Sequence, residues 1–361
     1  MHEQDQITEQ VVLAGPLAHP LMLAALGLTG QALALTGVLT PSPRAGLVRD
    51  GWPMWQPGSQ PLTAVRVGVN AALRLYAQVF GLHPQNCDGV QVLGLAAQAP
   101  QPGPGVWPAE QAARIARIVT TTESHRPPDQ IAARLAMIGI WAGSCLRAAA
   151  QQAPAPDLLG APDPARVRVT ARRQPYARFF AVQELDLRHR RHDGGTSAPV
   201  SRAVFAMGDA VVVLPYDPLR DRVLLIDQLR AAPLAMGDPQ PWLLETIAGR
   251  IDAGETPEAA ARREAAEETG LTLGRLIPGP THYPSPAAVG ERIFLFIARA
   301  DLPDGVAGIH GLETEAEDIR GHLIARSDLD RLVDRGDIRN GPLLILAYWL
   351  RAGLAQLRAQ L

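Results

Sequence analysis

The stretch that decides the fold is GRIDAGETPEAAARREAAEETGL, Gly249 to Leu271. Thr256 stands where a helix N-cap would, Pro257 suits the first helical turn, and Gly270 stands where a left-handed C-terminal cap would close the last. These signals predict a helix from Pro257 to Thr269. On it Glu264 and Glu268 are four apart and Glu267 is three from Glu264, so three carboxylates share one face. Like charges at this spacing repel by roughly a few tenths of a kcal/mol per pair. Arg262 points away, and Arg263, four before Glu267, offsets one of the three. A Glu-rich helix ordinarily presents a solvated acidic face, but here a divalent cation would turn repulsion into binding. Hard carboxylate oxygens suit Mg²⁺ or Mn²⁺, ions that keep waters and bridge to substrate phosphates.

The chain around this helix has 361 residues with 34 Lys+Arg, all of them arginine, and 36 Asp+Glu. A net charge of −2 excludes a generic polyanion binder, so no nucleic-acid partner is expected. The charge is uneven: residues 1–165 hold 9 Arg and 10 acids, residues 166–361 hold 25 Arg and 26 acids. The length and apolar content supply two cores. Cys87 and Cys145 are too few for a disulfide framework or a thiolate metal site, which fits a reducing, cytoplasmic setting. The opening MHEQDQITEQ lacks the basic region of a secretory signal, and no apolar run reaches the roughly 20 residues of a membrane span. A soluble protein without a membrane partner is expected.

Residues 1–108 are rich in Gly and Pro, with short apolar runs (Val11–Ala14, Ala34–Leu39, Val90–Leu95) that read as strands of a small barrel or open sheet. Residues 109–152 turn helical, with a break at His125 to Pro128. Ala153 to Pro164 carries four prolines in twelve residues and reads as a linker over 153–165. Beyond it, residues 166–361 show β-like runs at Arg166–Thr170, Phe179–Leu187, Ala203–Pro215 and Arg222–Gln228, then the carboxylate helix. A further run at Arg292–Ala298 and a C-terminal helix from about Pro342 complete the chain.

The carboxylate stretch resembles the signature of the Nudix hydrolases, G-x5-E-x7-R-E-U-x-E-E-x-G-U with U aliphatic. The match runs through Gly249, Glu255, Arg263, Glu264, Ala265, Glu267, Glu268, Gly270 and Leu271, and Ala265 is the one small departure. The resemblance implies an α/β fold, an α/β/α sandwich on a mixed sheet, preceded here by a β-rich domain and a helical segment. It implies Mg²⁺ or Mn²⁺ held by Glu264, Glu267, Glu268 and the carbonyl of Ala248. Glu255 and Arg263 would brace the loop and helix. The chemistry implied is attack of a metal-activated water on a diphosphate.

The flanks are similar to the ADP-ribose pyrophosphatase branch, through Phe179-Phe180, LRHRRHDGG (Leu187–Gly195), Gly208-Asp209-Ala210, VLLIDQLR (Val223–Arg230) and PWLLE (Pro241–Glu245). Pro286, 16 residues after Gly270, has the branch's spacing. By this resemblance Arg230, Glu245, Glu291 and Pro286 belong to the substrate site, and Glu315, in the acidic run Glu313 to Asp318, would orient or deprotonate the attacking water, with Glu267 and Arg263 as its catalytic companions. Arg190, in the cluster Arg188, Arg190 and Arg191, would neutralise a diphosphate; a subunit contact or a solvated strand face are the alternatives. A homodimer through the Nudix domain is also implied.

The implied reaction is hydrolysis of ADP-ribose to AMP and ribose 5-phosphate. The GDP-mannose-cleaving relatives share features of Tyr283–Pro286 and GERIFLF and supply the closest competing substrate, and a nucleotide sensor without turnover is the competitor from another class. Residues 10–100 faintly resemble gamma-glutamylcyclotransferase-like proteins. Between Glu9 and Glu110, however, there is no glutamate for their acid/base chemistry, and the only acids are Asp50 and Asp88. Trp52 and Trp55 either line a pocket or pack. The two-domain layout also resembles Nudix proteins associated with bacterial tellurite resistance.

Overall fold

A computed structural model gives the fold and describes residues 9–98, 105–151, 161–311 and 318–361. Two compact units emerge: Met1–Ala206 with Asp252–Gly254, and Met207–Ile251 with Glu255–Leu361. No helix among the described residues is long and apolar enough to cross a membrane.

In the first unit, β1 (Gln10–Ala14), α1 (Pro20–Ala25), β2 (Gly30–Leu39), β3 (Trp55–Gly68), α2 (Ala71–Phe80), β4 (Gln85–Cys87) and β5 (Val90–Leu93) come first. Their sheet has the order β2-β3-β1-β5-β4, with β1 and β5 parallel and the other pairs antiparallel. Of the two expectations it fits the open sheet, since the described edge strands β2 and β4 do not pair. Helix α2 begins at Asn70, whose side chain accepts from Leu73 N. The helical stretch holds α3 (Ala109–Arg117), α4 (Pro128–Ala132) and α5 (Leu135–Ala149). The break falls at the expected His125–Pro128, and a second one at Ala133-Arg134 separates α4 from α5. Leu13, Leu17, Met22, Trp52, Tyr76 and Phe80 share one core with Ile115, Ile131, Leu135 and Ile138, so sheet and helices bury each other's apolar faces. The unit ends in an antiparallel sheet of β6 (Val167–Ala177), β7 (Ala181–His189) and β8 (Val200–Ala206).

The second unit contains β9 (Ala210–Asp217), β10 (Arg222–Leu229), α6 (Ala231–Ala235), β11 (Trp242–Glu245), β12 (Ile247–Arg250), α7 (Pro257–Thr269), β13 (Leu276–Pro278) and β14 (Val289–Gly290). After these come β15 (Ile293–Arg299), β16 (Ile309–His310), β17 (Ile319–Ala325), α8 (Arg326–Arg335) and α9 (Gly341–Gln360). The sheet order is β13-β15-β9-β10-β17-β16, with β11 on β10 and β12 on β9; β15 and β9 are parallel, so the sheet is mixed. Strand periodicity builds the layers. Val211 and Val213 face a core with Ala260, Ala261 and Ala265 of α7. Val212, Leu214 and Tyr216 face the opposite core, with Leu343, Leu346 and Leu350 of α9. The result is the expected α/β/α sandwich.

The run expected from Ala203 to Pro215 is two strands. Met207 to Asp209 interrupts it, placing β8 in one sheet and β9 in another. The break carries a turn signal, Gly208-Asp209, with Gly208 at φ 86°, and the apolar residues on both sides mask it.

Candidate active site

Helix α7 has the expected bounds and caps: the Thr256 side chain accepts from Ala259 N at 3.1 Å, Pro257 opens the helix, and Gly270 closes it at φ 68°. Its inner face is alanine. Ala260, Ala261 and Ala265 are fully buried, so the small side chain at 265 lets the helix lie close on β9 and β12. Burying that face leaves Glu264 and Glu267 partly open, whereas Glu268 is only 2% exposed.

Arg263 organises the carboxylates. Its Nε and Nη2 grip Glu255 in a two-pronged pair, each at 2.9 Å, and Nη2 also donates to the Arg250 carbonyl at 2.9 Å. Its Nη1 donates to Glu264 at 2.8 Å and Glu267 at 2.9 Å. The expectation that Arg263 offsets one of the three helix carboxylates is therefore corrected: it offsets two, because its stem lets one nitrogen reach the adjacent Glu264 as well as Glu267 one turn on. Arg262 does point away, donating to the carbonyls of Leu273 and Gly274.

Glu268 accepts from Ala248 N at 3.1 Å, which ties the helix to β12. Next along β12, Gly249 makes room for Glu264: a Cβ there would lie 1.9 Å from the Glu264 carboxyl. A backbone cradle under a carboxylate and a set of oxygen-only donors fit a hard divalent cation. Among the described residues no group of three His, Cys, Asp or Glu side chains is gathered tightly enough to hold a metal by itself. An ion that keeps waters and takes phosphate oxygens as further ligands does not require such a cage.

Arg230, directly after β10, and Glu245, at the end of β11, form a two-pronged pair with contacts of 2.6 to 3.1 Å. Glu245 is buried and Arg230 half-exposed. Glu291 is half-buried, and burial pushes its carboxyl above the usual range; nearby Arg250 pulls it back in part, while Asp209 adds to the rise. Burial likewise lowers the Arg250 guanidinium, opposed by Glu291. Pro286 lies on an exposed stretch before β14.

Arg190 belongs to the first unit, after β7, is largely exposed, and faces Asp163 at 3.7 Å. Its neighbours are also engaged locally, Arg188 with the Ser197 carbonyl and Arg191 with Asp193. Glu315 lies outside the described residues.

Three partners escaped sequence reasoning. Arg250 sits on β12 between Glu291 and the carbonyl of Met207, to which its guanidinium donates. Asp209 and Arg292 form a buried pair at 2.9 Å, and Asp209 also accepts from Arg292 N, holding the start of β15. Their signal in the sequence is their place in the short runs GRID, GDA and GERIF.

The NUDIX domain model matches residues 207–344. The chain is 40% identical over 185 residues to an ADP-ribose pyrophosphatase of Escherichia coli (strain K12), covering 51% of this chain and 88% of that protein. An ADP-ribose pyrophosphatase of Haemophilus influenzae is 38% identical over 185 residues, 51% and 85% of the two chains. A GDP-mannose pyrophosphatase of an Enterobacter species is 34% identical over 150 residues, 42% and 77% of the two chains.

Proposed function

Because the chain belongs to the Nudix hydrolases, with ADP-ribose pyrophosphatases among its relatives, we propose that it hydrolyses the diphosphate bond of ADP-ribose to AMP and ribose 5-phosphate. The observation that carries the proposal is the face of α7, where Glu264, Glu267 and Glu268 stand against β12 in an arrangement held by Arg263 and given room by Gly249.

Glu264, Glu267, Glu268 and the Ala248 carbonyl are the residues that would hold Mg²⁺ or Mn²⁺. When bound, the ion polarises phosphoryl oxygens and lowers the pKa of an attacking water. The protein's own side chains do the rest. Arg263 and Glu255 keep the carboxylates in place, and Arg230 offers a guanidinium to a substrate phosphate once its grip on Glu245 is shared. Glu245 and Glu291 offer carboxylates to ribose or base hydroxyl and amino groups, with Pro286 shaping the loop. Glu315 is the proposed base, and Arg190 a proposed cation for a diphosphate.

A homodimer through the Nudix domain is supported by apolar side chains left exposed on the β6–β8 sheet and its first turn: Tyr176 is 42%, Phe179 68% and Phe205 42% exposed. That sheet falls within the proposed Nudix domain, residues 166–361, which follows a β-rich domain (1–108), a helical segment (109–152) and a linker (153–165). The 185-residue similarity to the E. coli protein supports this boundary, because it is longer than the chain from Met207 onward and so includes residues before it. The cytoplasm is the proposed location. Tellurite resistance is the proposed phenotype, checked by comparing the growth of a deletion strain with and without tellurite.

GDP-mannose is the second substrate to consider, on the strength of the 34% relative. A panel of ADP-ribose, GDP-mannose and NADH with the full chain and Mg²⁺ tests the choice. ADP-ribose should give the highest kcat/KM; a preference for GDP-mannose would reassign the substrate, and no turnover of any would leave a binding protein.

A further inference from the structure

We propose that the first unit carries a separate binding site for a small organic carboxylate, in a cavity of about 500 Å³ at one end of α2. That volume lies in the range that holds small ligands, roughly 300–1,000 Å³. Its floor is apolar: Trp52, Phe80 and Leu95 are each no more than 2% exposed, and Trp52 meets the Phe80 ring edge-on at 5.9 Å. Its mouth is polar and holds Arg49, Asp50 and His83.

Three features make this more than a dent in the surface. Arg49 has no carboxylate or carbonyl partner among the described residues, whereas many arginines of this chain are ion-paired. A guanidinium in that state is a ready donor for an anion. Gly81, which caps α2 at φ 66°, leaves room for Arg49, since a Cβ there would lie 2.9 Å from an Arg49 guanidinium nitrogen. Finally, the Trp52 indole N–H is buried without an acceptor among the described residues. A buried donor left unpaired carries a desolvation cost that a ligand acceptor reaching it would relieve.

The ligand class follows from the lining. An apolar body would rest on Trp52, Phe80 and Leu95, and one anionic head would face Arg49. Asp50 at the same mouth disfavours a second negative charge, which selects a carboxylate over a phosphate monoester.

The test is NMR of the full chain labelled with ¹⁵N-tryptophan, whose six indole signals include Trp52. The Trp52 signal is assigned by Trp52→Phe or, if that variant fails to fold, by exclusion through single substitutions of the other five. Benzoate, phenyl phosphate and benzyl alcohol are titrated separately. Benzoate should shift the Trp52 signal saturably, phenyl phosphate more weakly, and benzyl alcohol not at all. Arg49→Ala, a change at an exposed position, should weaken benzoate about tenfold while ADP-ribose turnover stays unchanged. No saturable shift, a shift indifferent to Arg49→Ala, or tighter binding of phenyl phosphate would overturn the assignment. None of these outcomes depends on whether the second unit turns over ADP-ribose.

Discussion

Glu123 in the first unit and Glu268 in the second are both buried, and they are used in opposite ways. Glu123, 1% exposed, sits between Arg126 at 3.0 Å and Arg134. Those guanidinia also donate to the Gln174 and Arg178 carbonyls, so the charge is spent on joining the helices to β6 and the turn after it. Glu268, 2% exposed, accepts a backbone N–H and stands on a helix face with two more carboxylates. The first arrangement is neutralised from within; the second concentrates negative charge and gains from a cation supplied from outside. Burial of a carboxylate therefore does not by itself mark a site.

Substitutions can break or sharpen this contrast. The largest effect is expected from Arg263→Ala. It removes the donor shared by Glu255, Glu264 and Glu267, leaves the carboxylates repelling each other, and should lower kcat on ADP-ribose at least about 100-fold, since a misplacement near 1 Å costs that much. Steady-state kinetics reads it, and a near-normal kcat would show that the bracing is dispensable.

Glu123→Ala should act on stability instead. Stranding two largely buried guanidinia costs about 3–5 kcal/mol, visible in the urea midpoint, while the protein that remains folded keeps its kcat. A loss of kcat without a loss of stability would erase the distinction between the two glutamates. Ala265→Leu puts a branched side chain into the fully buried contact between α7 and the sheet. Overpacking there should cost about 1–3 kcal/mol, and turnover should fall with it because the same helix carries the carboxylates.

A smaller effect concerns Glu291. Its folded-state pKa is raised, so folding favours the protonated form, and the stability that it contributes is present at low pH and lost as pH rises through the folded value. Glu291→Gln should therefore match the parent near pH 4 and be the more stable of the two near pH 8. Thermal melts at both pH values check this, and a gain only on the acid side would reverse the assigned cause.

Much of the second unit was legible in the sequence, because helix signals are local. Thr256, Pro257 and Gly270 fix the ends of α7, and the spacing of Glu264, Glu267 and Glu268 fixes their common face. What escaped depends on reach or on distant pairing. The contact of Arg263 with its neighbour Glu264 lies outside the three-and-four rule for helix faces, and the pairing of Arg250 with Glu291 needs strands about forty residues apart to be placed first. The division of Ala203–Pro215 into two strands has its signal in Gly208-Asp209, which the apolar runs on either side outweigh. The cavity beside Trp52 is assembled from three separate segments, so no motif announces it; only the weighing of Trp52 between pocket and packing touched it, and the tryptophan turns out to do both.

The central claim is that the carboxylate face of α7 drives hydrolysis of a nucleoside diphosphate sugar. It is tested most directly by following AMP release from ADP-ribose with Mg²⁺ in the parent chain and in Glu268→Gln, which keeps an oxygen acceptor for Ala248 N but removes the charge. AMP and ribose 5-phosphate in equal amounts from the parent, with release slowed by orders of magnitude in the variant, is the expected result. Unchanged release by Glu268→Gln, or none by the parent, would contradict it.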